Sequence, residues 1–191
     1  MTTRTAPQPD VHHQLLDSLA TALGDVVRAS LDADRDAARR VLRDGAHRHT
    51  LVAAAELQAR RDIVGSAVRR QAATHRLLLV ADAARVSRLL DHLARLVLVG
   101  RVDGGIGVAH TEALVLLARF GEERLHQLAD GPTGPGLDRE FVRCGRCLID
   151  AADRLDHTRP GHRDDSPAVA CCAALAHTVL QASRHALRAA A

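Results

Sequence analysis

The sequence predicts an all-α protein made of two pseudo-repeated three-helix bundles. Apolar residues recur at steps of three and four through six segments, and none shows the alternation of a strand. Ala and Leu make up about a third of the 191 residues, with two Phe and neither Tyr nor Trp, which suits helices better than sheets. A Gly-rich stretch, Gly100-Arg-Val-Asp-Gly-Gly-Ile-Gly107, divides the six segments into three and three.

Residues 1–9 are expected to be a disordered N-terminus, and residues 10–100 the first bundle. Asp10 precedes a seam through Leu16, Leu19, Leu23 and Val26 that continues to Ala33 and Ala37, and Asp34 is placed to cap a second helix. That helix is expected to run to about Arg70 with Leu42, Ala46, Ala53, Leu57, Val64 and Val68 on its inner face. The third carries Leu79, Ala83, Val86, Leu90, Leu93 and Val97 and stops at Gly100. Residues 101–107 read as a linker, and residues 108–191 as a second, degenerate bundle. Its first helix carries Leu114, Leu117, Leu125 and Leu128, is weakened by Gly121, and ends at Gly131. The next runs from about Asp138 to His157 with Phe141, Cys144, Leu148, Ala152 and Leu155 inward. The last, from about Ala168 to Ala190, turns Leu175, Val179, Ala182 and Ala186 inward.

Composition removes several functions. All 26 basic residues are Arg, so a Walker A lysine is impossible, and no Gly-x-Ser-x-Gly elbow occurs. The first residues lack a signal-peptide apolar stretch and no run approaches the ~20 residues of a bilayer span. A cytoplasmic location with reduced thiols is therefore expected. Residues 35–70 hold nine Arg against four acids, but they fan around the helix without interleaved aromatics. Intrahelical Arg–Asp pairs on a solvated face are expected there, and no nucleic acid.

Two stretches carry a resemblance. Ala29-Ser-Leu-Asp-Ala-Asp-Arg-Asp-Ala-Ala-Arg-Arg-Val-Leu-Arg-Asp44 and Val86-Ser-Arg-Leu-Leu-Asp-His-Leu-Ala94 stand at a helix junction and in the third helix. They resemble the PhoU-type regulators of phosphate uptake, whose third helix carries Leu-Glu-Arg-Ile-Gly-Asp-His-Ala. Asp34, Arg88, Asp91 and His92 are the matching positions. The resemblance implies a cytoplasmic adaptor of two three-helix repeats that links a phosphate importer to a membrane sensor kinase by protein–protein contact, without chemistry or membrane insertion. A homodimer is compatible with it. It further implies a divalent or ferric metal held by Glu and Asp four apart. Here the first carboxylate is Ser87, and Asp91 alone remains. In the second half Leu180 and Arg184 replace both carboxylates, and His185-Ala186 survive. Asp91 is thus expected to be a solvated or capping carboxylate, with a metal there as the lesser reading.

Other constellations leave alternatives open. Cys144-Gly-Arg-Cys147 and the adjacent Cys171-Cys172 could form a zinc or thiol-sensing site, although a CxxC inside an apolar-periodic helix suits packing better. His92 and His177 are the formal candidates for a His-phosphotransfer module. Glu123-Arg-Leu-His126 is a lone ExxH, and Glu56 and Glu112 are poor additions to it, so a surface pair is expected.

Overall fold

The computed structural model describes residues 10–63, 67–102, 108–131, 139–156 and 166–190, with the side chains of 67–69 and 108–109 outside that description. Six helices account for the regular structure among them: α1 (Val11–Asp32), α2 (Arg35–Asp62), α3 (Ala67–Leu98), α4 (Val108–Ala129), α5 (Arg139–Asp156) and α6 (Pro167–Ala190). The all-α expectation holds. The residues read as N-terminal tail, and 103–107 of the Gly-rich linker, lie outside the described residues.

Helix ends follow local chemistry. α1 stops because Ala33 turns left-handed at φ 52° and Asp34 N donates to Ala29 O. Asp34 then opens α2, its carboxylate accepting from the amides of Asp36 and Ala37 at 2.9 and 3.0 Å. The Ala37 amide, with that of Asp36, holds the Asp34 carboxyl below its ordinary value. Gly100, at φ 71°, closes α3: its own amide bonds Val97 O and that of Arg101 bonds Leu96 O. Gly131 ends α4 in the same left-handed region. These are the positions at which the sequence placed the breaks.

Two expectations fail in α2. The helix ends at Asp62 and α3 begins at Ala67, so the boundary near Arg70 is wrong; Gly65-Ser66, a breaker and a capping residue type, was the overlooked signal. The inner face is also different. Ala38, Val41, Gly45, Arg48, Leu51, Ala55 and Ala59 are buried, while Ala46 and Ala53 are exposed and Leu57 is 52% exposed. A search for apolar residues rejects a stripe that contains Gly45 and Arg48, and so selects its neighbour.

Packing runs within each set of three and between the sets. α2 lies against α1 and α3, and α5 against α4 and α6; α1–α4 and α3–α6 join the sets. Exchanging α1 with α4, α2 with α5 and α3 with α6 leaves these principal pairings unchanged. α2 and α5 are therefore the outer helices, 28 and 18 residues long. One apolar cluster passes through all six helices.

Glycines set the α1–α4 spacing. Gly121 packs on Leu23, which is fully buried; a Cβ at Gly121 would lie 2.6 Å from Leu23 Cδ2. Gly24 in α1 likewise faces the Glu122 carboxylate and the Arg28 guanidinium, and Arg28 Nη1 reaches Glu122 at 3.1 Å across the crossing. Leu23-Gly24-Asp25 and Phe120-Gly121-Glu122 are thus matching triplets at one contact. Gly121 is a site of close approach rather than a weakness. Gly121→Ala should cost about 1–3 kcal/mol in chemical denaturation. Adding Leu23→Ala should cost less than the two single effects summed, because it removes the obstructing methyl group.

Candidate functional site

One position of the motif resemblance, Asp91, lies in a buried ion pair. Asp91, on α3, is 6% exposed, so the expected solvated or capping carboxylate is not what the structure holds. Its Oδ1 accepts from Arg48 Nη2 at 2.7 Å, and Arg48, on α2, is 1% exposed. The same Nη2 donates to Val41 O at 2.8 Å. His49 Nε2 stands 3.7 Å from Asp91 Oδ2 at the open edge. Gly45 provides the room: a Cβ there would press on both Asp91 oxygens at 3.1 and 3.3 Å. Ser87, the position of the missing family carboxylate, is fully buried and its hydroxyl lacks a partner among the described residues. Arg88 and His92 point to solvent on the other side of α3. Asp34 is a helix cap at the α1–α2 corner. The pair ties α2 to α3, and Asp91 spends its charge on Arg48.

Sequence reasoning missed Arg48 and a counterpart in the second set. Val41-Leu-Arg-Asp-Gly45 in α2 and Phe141-Val-Arg-Cys-Gly145 in α5 share an apolar-x-Arg-x-Gly pattern. In each, the first residue's carbonyl accepts from a buried guanidinium that also lies over the glycine. In α5 that guanidinium is Arg124, from α4: its Nη2 bonds Phe141 O at 2.5 Å and its Cζ sits 3.5 Å from the Phe141 ring centroid. A Cβ on Gly145 would meet Arg124 Nη2 at 2.5 Å. Arg124 is 3% exposed, with Nε and Nη1 lacking partners, and no carboxylate bonds it among the described residues. Burial accordingly lowers its pKa.

The cysteines are not gathered. Cys144 donates to Phe120 O at 3.1 Å and Cys171 to Leu89 O at 3.4 Å, on different helix contacts. All four thiols are free, and Cys147 alone of them is not buried. Among the described residues no group of three or more His, Cys, Asp or Glu is arranged to hold a metal ion. Burial pushes the Cys144 and Cys171 thiols up to about 11 and raises Cys172 as well. These are thiols without nucleophilic activation. The ExxH does not form the expected pair: Glu123 bonds Gln127, and His126 Nδ1 meets Asp17 of α1 at 3.0 Å. Glu56 bonds Arg60 and Glu112 bonds Arg154. The expected intrahelical pairs occur at Arg39–Asp36 and Arg60–Glu56. Of the two phosphotransfer candidates both are exposed, and His177 is oriented by Asp156, whose Oδ2 lies 2.6 Å from its Nε2.

The chain matches no protein-family model, and neither the curated proteins nor the solved structures supply a match.

The two guanidinium sites should respond oppositely to the same change. Arg48→Met strands Asp91 and should cost about 3–5 kcal/mol, whereas Arg48→Met with Asp91→Leu should recover most of it. Arg124→Met strands no charge and should be neutral or stabilising in the same urea titration. The thiols predict an alkaline limb. A thiol pKa raised on folding favours the fold below the ordinary 9.0, and that stabilisation is lost as pH climbs toward about 11. The urea midpoint should therefore fall between pH 9 and 11, and less so in Cys144→Ala/Cys171→Ala. Iodoacetamide at neutral pH should label Cys147 before the other three.

Proposed function

We propose that the chain is a regulatory adaptor acting through its helical faces, in the manner of the PhoU-type proteins it resembles in sequence. The observation that carries this reading is the exchange pattern of the helices. Two sets of three pack alike and meet through α1–α4 and α3–α6, the kind of body that the resemblance implies. The motif positions fit the same arrangement in a structural way, since Asp34 makes the α1–α2 corner and Asp91 the α2–α3 tie.

In this reading the chain conveys phosphate status between an importer and a membrane-bound sensor kinase, and carries out no reaction. Asp91 serves the scaffold and leaves no carboxylate pair for a metal-dependent step. No helix among the described residues is long and apolar enough to cross a membrane, so the partner would supply the membrane anchor. Deleting the gene should raise phosphate uptake and release phosphate-starvation genes from repression in phosphate-rich medium. Supplying the chain in trans should restore both. A deletion strain unchanged in both assays overturns the phosphate reading.

A further inference from the structure

α3 and α5 both pack on α6 but make no extensive contact with each other. The gap between them is a cavity of about 630 Å³ floored by α6, within the range of roughly 300–1,000 Å³ usual for small-molecule sites. Its floor is apolar, from Leu155, Val169 and Ala173. Its walls carry charges of both signs: Asp82 and Arg85 from α3, and Asp156 from the end of α5. Arg85, on the α3 wall, is exposed and makes no hydrogen bond or ion pair among the described residues. Asp82, one turn before it, turns away to His185, with Oδ2 2.7 Å from Nδ1, and so leaves Arg85 without its natural neighbour. Across the gap stands Asp156, at the end of α5. Its Oδ2 lies 2.6 Å from His177 Nε2, and both residues line the cavity.

An unpaired guanidinium and a held carboxylate on opposite walls of one apolar trough suit a ligand with both charges. A simple anion would meet Asp156, and a simple amine would meet Arg85. We propose that this cavity binds a small zwitterion with an aliphatic side chain, of the α-amino acid class. Its carboxylate lies on Arg85, its ammonium on Asp156, and its side chain over Leu155, Val169 and Ala173. Arg85 forms the fork that matches a carboxylate, and the alanine floor leaves depth for a branched aliphatic group. The inference is independent of the adaptor reading, because it concerns the purified chain with no partner present.

The probes are L-leucine, isocaproate, which lacks the ammonium, and isoamylamine, which lacks the carboxylate, each titrated calorimetrically into the full chain. Leucine should bind more tightly than either truncated probe by about tenfold, the worth of one charge-assisted hydrogen bond. Arg85→Gln should lower leucine affinity to the level of isoamylamine, and Asp156→Asn to the level of isocaproate. Ala173→Leu, which fills the floor, should abolish binding of all three. A thermal midpoint unchanged in Arg85→Gln and Asp156→Asn keeps those comparisons free of folding effects, since both residues are solvent-facing. No heat of binding for leucine, equal affinity for leucine and a truncated probe, or full affinity in Arg85→Gln each overturns the proposal.

Discussion

The structure depends on how closely helices with small side chains can approach. A core of Ala, Leu and Val, with two aromatic residues in the whole chain, cannot fill wide gaps between helix axes. It must close them. The α1–α4 crossing shows how: Gly121 lets α4 approach α1, Leu23 fills the space that a side chain on Gly121 would claim, and Gly24 faces the ends of the Glu122 and Arg28 side chains. α3 packs on α6 within the same core, and α2 and α5 cover the outer flanks.

Into this apolar body the chain buries two guanidinium groups. Each rests on a glycine and a carbonyl of an outer helix, Gly45 and Val41 O in α2, Gly145 and Phe141 O in α5. Only the first has a carboxylate. Burying a charge is costly unless it is paired, so Arg48 depends on Asp91, while Arg124 relies on an aromatic face and one carbonyl. The two seats are alike, but their guanidinium groups come from helices that the exchange does not relate, Arg48 from α2 and Arg124 from α4. They differ further in charge: Asp91 on α3 answers Arg48, and no carboxylate bonds Arg124 among the described residues.

Much of this was legible beforehand, and what was not has a common cause. Helix number, the caps at Asp34, Gly100 and Gly131, and the inward residues of α1, α3, α4, α5 and α6 follow from periodicity and local capping, which act within one turn of the chain. The inner face of α2 was illegible because its central members are Arg48 and Gly45, residues that hydropathy counts as outward. Asp91 read as solvated for the same reason: its partner lies 43 positions away on another helix, where no spacing rule reaches. Gly121 read as a helix weakness because propensity describes an isolated helix, and this one has a neighbour. Three of the cysteines, Cys144, Cys171 and Cys172, are buried, where desolvation rather than spacing decides their chemistry.

The unequal outer helices have a consequence for recognition. Among the described residues α2 is ten residues longer than α5, about 15 Å of extra rod at 1.5 Å per residue. The central four helices pair off alike, yet the two flanks differ in reach. A partner with two-fold symmetry could not grip both flanks in the same way. Whatever spans this body from one edge to the other must therefore be lopsided itself, or must hold one flank only and leave the longer rod free as a handle.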